Sequence, residues 1–336
     1  MRRSFPGSVR VLLLRRQTFG GIATYTRLLV DALDRVGIEA VVDDAEEWIP
    51  NKTGPAVDRQ VSKAVRAAAQ GFDLVHAFGY RTAWACSAAF RSSEPWVYTA
   101  HDMPKTVHSL LIERLNEARA GVCSSSGPHN MLSSAGAKRL KVIKPGLPSN
   151  RRVLDRDESR AMLAIPEDRF QLVTAGRFCV EHSLQTVAHV AECLPYEVRL
   201  TITGRGELED EVMALSSEKV TVTTEPFAQQ ALIAAADLLV VPSVNAGFTF
   251  SALEAMYQGV APVLRRIGGH PDLAEDHQTG FFYDTDEELL DVLGHLCYKR
   301  EECREVGRAA RHRALAEFDI ARTAEELKKV YGSALG

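Results

Sequence analysis

The chain has no unbroken apolar run near the ~18 residues that a membrane-spanning helix needs, so no such helix is expected. Its six cysteines, Cys86, Cys123, Cys179, Cys193, Cys297 and Cys303, include no Cys-x-x-Cys pair. They read as free thiols of a reducing cytoplasm. There is no P-loop, no zinc ligand set and no Gly-x-Ser-x-Gly elbow. The amino-terminal apolar run Val9-Arg-Val-Leu-Leu-Leu14 is too short for a signal sequence and reads instead as a first strand. These absences set aside spanning transporters, P-loop nucleotide enzymes, zinc modules and serine hydrolases.

What remains is a 336-residue chain, 46% hydrophobic and 25% charged, a globular composition long enough for two domains. The net charge of -4 hides an asymmetry: residues 1–150 hold 20 Lys and Arg against 13 Asp and Glu, the remainder 20 against 31. Basic clusters at Arg2, Arg3, Arg10, Arg15, Arg16 and at Lys138, Arg139, Lys141, Lys144 suit an anionic acceptor or peripheral contact with anionic lipid, or are simply solvated charge. No nucleic-acid partner is expected.

Strand and helix patterns alternate along both halves. Val9–Leu14 precedes Gly20-Gly21 and an apolar stripe at Ile22, Tyr25, Leu28, Leu29, Ala32, Leu33 and Val36, one face of a helix stopped by Gly37. Ile38–Val42 is a second strand, and the polar stretch from Asp43 to Pro55 reads as a loop. A helix is expected over 57–70 and strands at 72–79, 96–102, 120–126 and 141–146. His101, at the end of its strand, stands where parallel sheets place catalytic groups, although a lone histidine is also a common structural residue. Pro145-Gly146 and Pro148 mark a boundary, giving domains at 1–150 and 151–317 and a last helix at 318–336.

In the second half, Phe170-Gln-Leu-Val-Thr-Ala-Gly176 is a strand with Arg177 at its end. Strands follow at 197–204 and 219–222, then a helix at 229–236. The most informative stretch comes next: Pro242-Ser-Val-Asn-Ala-Gly-Phe-Thr-Phe-Ser-Ala-Leu-Glu-Ala-Met-Tyr-Gln-Gly259. A buried strand, 236–241, leads into it, and good helix formers occupy 251–257 before Gly259. Unsatisfied N–H groups at such a helix start favour a phosphate, and the Glu254 carboxylate could hold a pair of hydroxyls. The alternative is a phosphate-free strand–helix unit with Glu254 on a solvated face. Further on, Asp284-Thr-Asp286 has the spacing of a metal motif but directly precedes a helix, where aspartate caps the first turn.

The 242–259 stretch resembles the donor-site signature of the family-4 retaining glycosyltransferases. Their motif runs Pro-Ser, two residues, Glu, Gly-Phe-Gly, then Glu-Ala-Met and Gly. The second glutamate matches Glu254, while the first falls on Ala246 and the glycine after Phe248 on Thr249. The Gly-Arg that grips the donor diphosphate matches Gly176-Arg177, but the family's Lys-Gly is His182-Ser183 here. Gly-Gly-His-Pro-Asp at 268–272 and Thr279-Gly280 also fit the pattern.

The resemblance implies the GT-B fold: α/β, two doubly wound, Rossmann-like parallel-sheet domains facing a cleft, with a last helix that crosses back to the first. It implies metal-independent transfer of a sugar from a nucleotide-sugar to a hydroxyl acceptor, with retention and no cofactor. Arg177 and His182 would stabilise the leaving diphosphate, and His101 would contact the sugar. Gly20, Gly21, Gly176, Ala246, Gly247, Phe248, Thr249 and Glu254 would line the donor. The three departures, at Ala246, His182 and Thr249, leave a second reading open, a member that binds without catalysis.

Overall fold

The computed structural model describes residues 8–16, 20–50, 54–90, 94–104, 106–225 and 229–336. Arg2 and Arg3 of the basic cluster lie outside the described residues. The chain divides into two compact units, residues 1–149 with 318–336 and residues 150–317.

The first unit is built on six parallel strands: β1 Val9–Arg15, β2 Ile38–Asp44, β3 Leu74–Phe78, β4 Trp96–Ala100, β5 Ala120–Cys123 and β6 Leu140–Val142. Their order is β2-β1-β3-β4-β5-β6. The central strands β3 and β4 are buried at every position, which is why they read as largely apolar runs, with His76 and Thr99 the polar exceptions. β2 runs two residues beyond the apolar pattern, through Asp43 and Asp44, which the sequence reading assigned to a loop. The reason is tertiary. Arg15, only 4% exposed at the end of β1, lies in register with Asp44 and pairs with its carboxylate. The helix Tyr80–Ala89 was not expected either. Thr82, Ala83, Ala85, Cys86, Ser87 and Ala89 are buried, while Tyr80, Trp84 and Ala88 on the partly exposed side are not polar surface residues, so the pattern has little contrast to reveal a period.

The last helix, Ile320–Leu335, belongs to this unit. Asp319 caps it, accepting from Ala321 N–H at 2.9 Å. Leu147 N–H donates to Phe318 O at 2.8 Å and Ile320 N–H to Leu147 O at 3.1 Å. Gly146 permits this approach, since a β-carbon there would lie 2.4 Å from Phe318 O. Deeper in, Tyr331 hydroxyl sits 2.7 Å from His76 Nδ1, and Thr99 hydroxyl 2.6 Å from His76 Nε2. Burial pushes the His76 imidazole down to about 3, with His101 adding to the effect, so the ring is neutral and needs both partners. Tyr331→Phe strands a polar atom of a fully buried ring and is expected to cost about 1–3 kcal/mol. Urea unfolding measures it, and a loss below about 0.5 kcal/mol, the size of an ordinary surface substitution, would contradict the account.

The second unit repeats the architecture with β7 Phe170–Arg177, β8 Val198–Arg205, β9 Val220–Thr223, β10 Leu238–Val241, β11 Ala261–Arg265 and β12 Phe281–Tyr283. All are parallel, in the order β12-β11-β10-β7-β8-β9. Phe170, Leu172, Phe178, Leu200, Ile202, Leu238 and Val240 fill its core against the helices Leu184–Cys193 and Asp286–Leu296. The chain order reverses between β7 and β10, the point where open α/β sheets form a ligand crevice at the carboxyl ends of their strands.

One expectation is corrected here. Neither aspartate of Asp284-Thr-Asp286 provides the cap. Thr285 does, its hydroxyl accepting from Glu288 N–H at 3.2 Å, and Glu288 returns a bond to Asp284 N–H at 2.7 Å. The hydroxyl at the central position sits in the capping place, so the flanking aspartates are free to pair with Arg266 and Arg265.

Candidate functional site

The loops after β7 and β10 flank the reversal point of the second sheet. β7 ends on Gly176 and half-buried Arg177, beside Gly204 and Arg205 of β8. The Gly176–Gly204 contact is tight: a β-carbon on Gly204 would lie 1.7 Å from Gly176 O, at a φ of +154°. No side chain fits between the two strand ends, so the backbone at Gly176 is fixed. The chain then makes a short 3-10 turn, Val180–His182, and Ser183 takes a left-handed φ of 44°. The family's glycine at that position explains itself: a residue there must adopt positive φ, and serine does so at a cost.

The turn folds His182 back onto the strand. Its ring lies over Gly176, close enough that a β-carbon on the glycine would be 3.0 Å from His182 Nδ1. The imidazole is held below the ordinary histidine value, first by burial and then by the Arg177 cation. A hydrogen bond to the Arg177 backbone and the charges of Glu181 and Glu207 pull the other way. Arg177 and His182 are therefore neighbours, as the sequence alignment expects.

The β10 loop is tied to this turn by Val244 N–H donating to Glu181 O at 2.9 Å. It carries Ala246, Gly247 and Phe248, all buried. Ala246 O accepts from Gly269 N–H at 3.1 Å, linking the loop to the segment after β11. Thr249 precedes the helix Phe250–Gln258, and Gly259 ends it in the left-handed conformation at a φ of 81°. The Phe248 and Phe250 rings meet edge to face at 5.2 Å.

Glu254 lies in the second turn of that helix. Its side chain is 12% exposed, with Arg151 Nη1 3.3 Å from Oε1 and Gln229 Nε2 3.2 Å from Oε2. Burial pushes its carboxyl above the usual range, while Arg151 and Gln229 pull it back. Glu254 therefore does not stand on a solvated face. Arg151 and Gln229 were missed in the sequence, and at separations of 103 and 25 residues no local pattern could reveal them.

One group among the described residues has metal-ligand chemistry. Cys179 Sγ and carboxylate oxygens of Glu181 and Glu207 lie within 4.8 Å of one another. Burial, chiefly, pushes the Cys179 thiol up, so the thiolate a metal needs is disfavoured.

In the first unit, Gly20 takes a φ of 85° at the start of the helix Gly21–Asp34, a conformation for which glycine is suited. His101 follows β4 and is 2% exposed. Its ring stacks on Phe78 at 5.6 Å and meets Tyr25 edge-on at 5.6 Å. Burial pushes it down to about 3, so it is a neutral imidazole. Several cations of the basic clusters have partners within this unit. Arg10 pairs with Glu39, Lys141 with Glu326, and Lys144 lies over the Phe318 ring. No helix among the described residues is long and apolar enough to cross a membrane.

Comparison with known proteins agrees with this geometry. Residues 155–313 match the family model described as glycosyl transferases group 1. The D-inositol 3-phosphate glycosyltransferase of Saccharomonospora viridis is 27% identical over 307 residues, covering 79% of this chain and 70% of the relative. Among solved structures, sucrose-phosphate synthase from Thermosynechococcus elongatus superposes with a TM-score of 0.80 at 18% identity, over 96% of this chain and 98% of that one. HepE of Anabaena in complex with UDP-glucose gives 0.80 at 20% identity, over 95% and 98%. The family match spans the loops described above, and the two six-stranded parallel sheets give the chain the two-domain GT-B fold of these solved structures.

Proposed function

We propose that this chain transfers a sugar from a nucleotide-sugar donor to a hydroxyl acceptor, with retention of configuration and without a catalytic metal. The observation that carries the reading is the convergence at the β7–β10 reversal point. Arg177, His182 and the start of the Phe250–Gln258 helix sit on loops that are hydrogen-bonded to each other. A guanidinium grips phosphate oxygens in a fixed fork, and helix N–H groups add fixed partial charge. Such preorganised donors stabilise the charge that builds on a leaving diphosphate as the glycosidic bond breaks. Gly247 and Phe248 bring backbone to the phosphates, and Glu254 keeps lone pairs for the ribose hydroxyls beside its bonds to Arg151 and Gln229. Ala246 offers no carboxylate to the sugar, so sugar choice rests on other groups.

The test is incubation with a panel of UDP-, GDP- and ADP-sugars, with release of nucleoside diphosphate followed over time and product configuration read by NMR. UDP-glucose comes first because the Anabaena structure holds it. Release in the presence of EDTA with a retained anomeric centre is expected. Inversion, or loss of release on chelation, overturns those parts of the proposal. Saturable binding of a donor with no release favours the binding-only reading that the substitutions at Ala246 and His182 raise.

His182 in the lysine position gives a pH signature. Diphosphate favours the imidazolium, so binding raises the His182 pKa from its free value, which burial and Arg177 hold below the ordinary 6.5. Affinity is then greatest below the free-protein pKa, falls as pH rises through it, and levels off above the pKa of the complex. The decline therefore begins on the acid side of the reference histidine value, about 6.5. His182→Lys keeps its charge throughout, and the ratio of the two affinities removes the ligand's own titration near pH ~6. Calorimetry from about pH 5 to 8 measures that ratio across the histidine range. A ratio independent of pH would remove His182 from the diphosphate site.

A further inference from the structure

Thr249 occupies the N-cap of the nine-residue helix Phe250–Gln258, with an ordinary capping backbone of φ -110° and ψ 105°. Threonine there normally turns its hydroxyl to a first-turn N–H. Thr285 does so in this same chain. Thr249 does not, and its side chain caps none of the helix N–H groups.

The hydroxyl is engaged elsewhere. Thr249 Oγ1 lies 2.9 Å from His270 Nε2, and His270 Nδ1 lies 2.7 Å from Arg265 O. A carbonyl oxygen only accepts, so Nδ1 carries the ring proton and Nε2 presents a lone pair. Thr249 must then donate to it. His270 is 1% exposed, and burial favours the neutral ring this arrangement requires. The ring cannot drift relative to the loop. Gly269 N–H is bonded to Ala246 O, and His270 N–H to Ile267 O at 3.0 Å.

We infer that His270 is a positioning residue for the diphosphate site: it holds the Thr249 hydroxyl away from the helix start and leaves the first-turn N–H groups to a phosphate. The inference rests on the donor-site reading above and goes beyond it. Without the Nε2 acceptor, rotation of the Thr249 side chain would let the hydroxyl cap its own helix and compete with the ligand for the same donors. The cost of threonine at this position is thereby removed by a histidine twenty-one residues downstream.

The test uses the full chain and titrates UDP and GDP by calorimetry, with thermal unfolding measured alongside. His270→Asn keeps a donor near the Nδ1 position but loses the Nε2 acceptor. His270→Gln places its amide near Nε2. His270→Asn is expected to bind the diphosphate about tenfold more weakly, the scale of one lost hydrogen bond to a charged group. His270→Gln should stay near wild type, and Thr249→Ala, at a donor-lining position, is the reference against which the double variant is read. The decisive variant is Thr249→Ala combined with His270→Asn. With no hydroxyl to cap the helix, it should recover most of the lost affinity. A purely structural pair would give no recovery, and that result overturns the inference. So does wild-type affinity in His270→Asn, or a tenfold loss in a folded His270→Gln, which keeps an acceptor near Nε2. Failure of the wild type to bind any diphosphate instead overturns the donor-site reading itself, and this inference with it.

Discussion

Asp237→Ala is expected to destabilise the second unit by about 3–5 kcal/mol, the range for breaking a buried ion pair from one side. Asp237 is 8% exposed and stands just before β10. Its Oδ1 accepts from Arg156 at 2.7 Å, and its Oδ2 accepts from Gln171 N–H at 2.7 Å and faces Arg160 Nη1 at 3.5 Å. Arg160 is 2% exposed and also donates to Ala235 O at 3.0 Å and Arg169 O at 2.7 Å. Those carbonyls take its terminal N–H groups but carry no net charge. Removing Asp237 leaves a buried guanidinium without an anion, and burial already pulls that group down from its ordinary value. It also leaves Gln171 N–H, at the head of β7, without its acceptor. Asp237→Asn keeps an oxygen for Gln171 and should fall between the two. Urea unfolding provides the measurement, and a loss below about 1 kcal/mol would mean the cluster relaxes or admits water.

The second large effect is on binding. Arg177→Ala is expected to weaken nucleoside diphosphate affinity by about 1.5–3 kcal/mol, roughly ten- to 150-fold. Arg177 is the last residue of β7, where Gly176 and Gly204 fix the backbone. Its side chain is only half-buried, so removing it opens no large cavity and should leave stability close to wild type. The loss should appear in affinity while the melting temperature without ligand stays put. Arg177→Lys separates charge from shape. A lysine restores the cation but not the two-pronged grip, so recovery should be partial. Equal affinity in wild type and Arg177→Ala would remove this residue from the site.

Much of the fold is legible because both sheets are parallel and covered on two faces. Their strands become largely apolar runs: 238–241 is unbroken, and 170–175 stands out although Gln171 and Thr174 interrupt it. Gly259 announces the end of its helix because only a left-handed residue closes it there. What stays hidden has long-range causes. β2 extends to Asp44 because a buried arginine on β1 needs a partner. The helix Tyr80–Ala89 has a partly exposed side carrying Tyr80, Trp84 and Ala88, so little polar contrast marks its period. In the candidate site, the order of residues singles out Arg177, His182 and Glu254 as candidates, but not what holds them. Arg151 and Gln229 on Glu254, and His270 on Thr249, are visible only once the chain is folded. The Asp-x-Asp spacing shows the converse, since a hydroxyl between the aspartates is a sufficient reason for the motif.

The central claim is that the second unit holds a nucleoside diphosphate at the β7–β10 reversal point, and calorimetric titration of the full chain with UDP, GDP, ADP, CDP and dTDP tests it most directly. Saturable binding of at least one of them is expected, with a single site per chain and a marked loss of affinity in Arg177→Ala. No saturable binding by any of the five, or binding indifferent to Arg177, would contradict it.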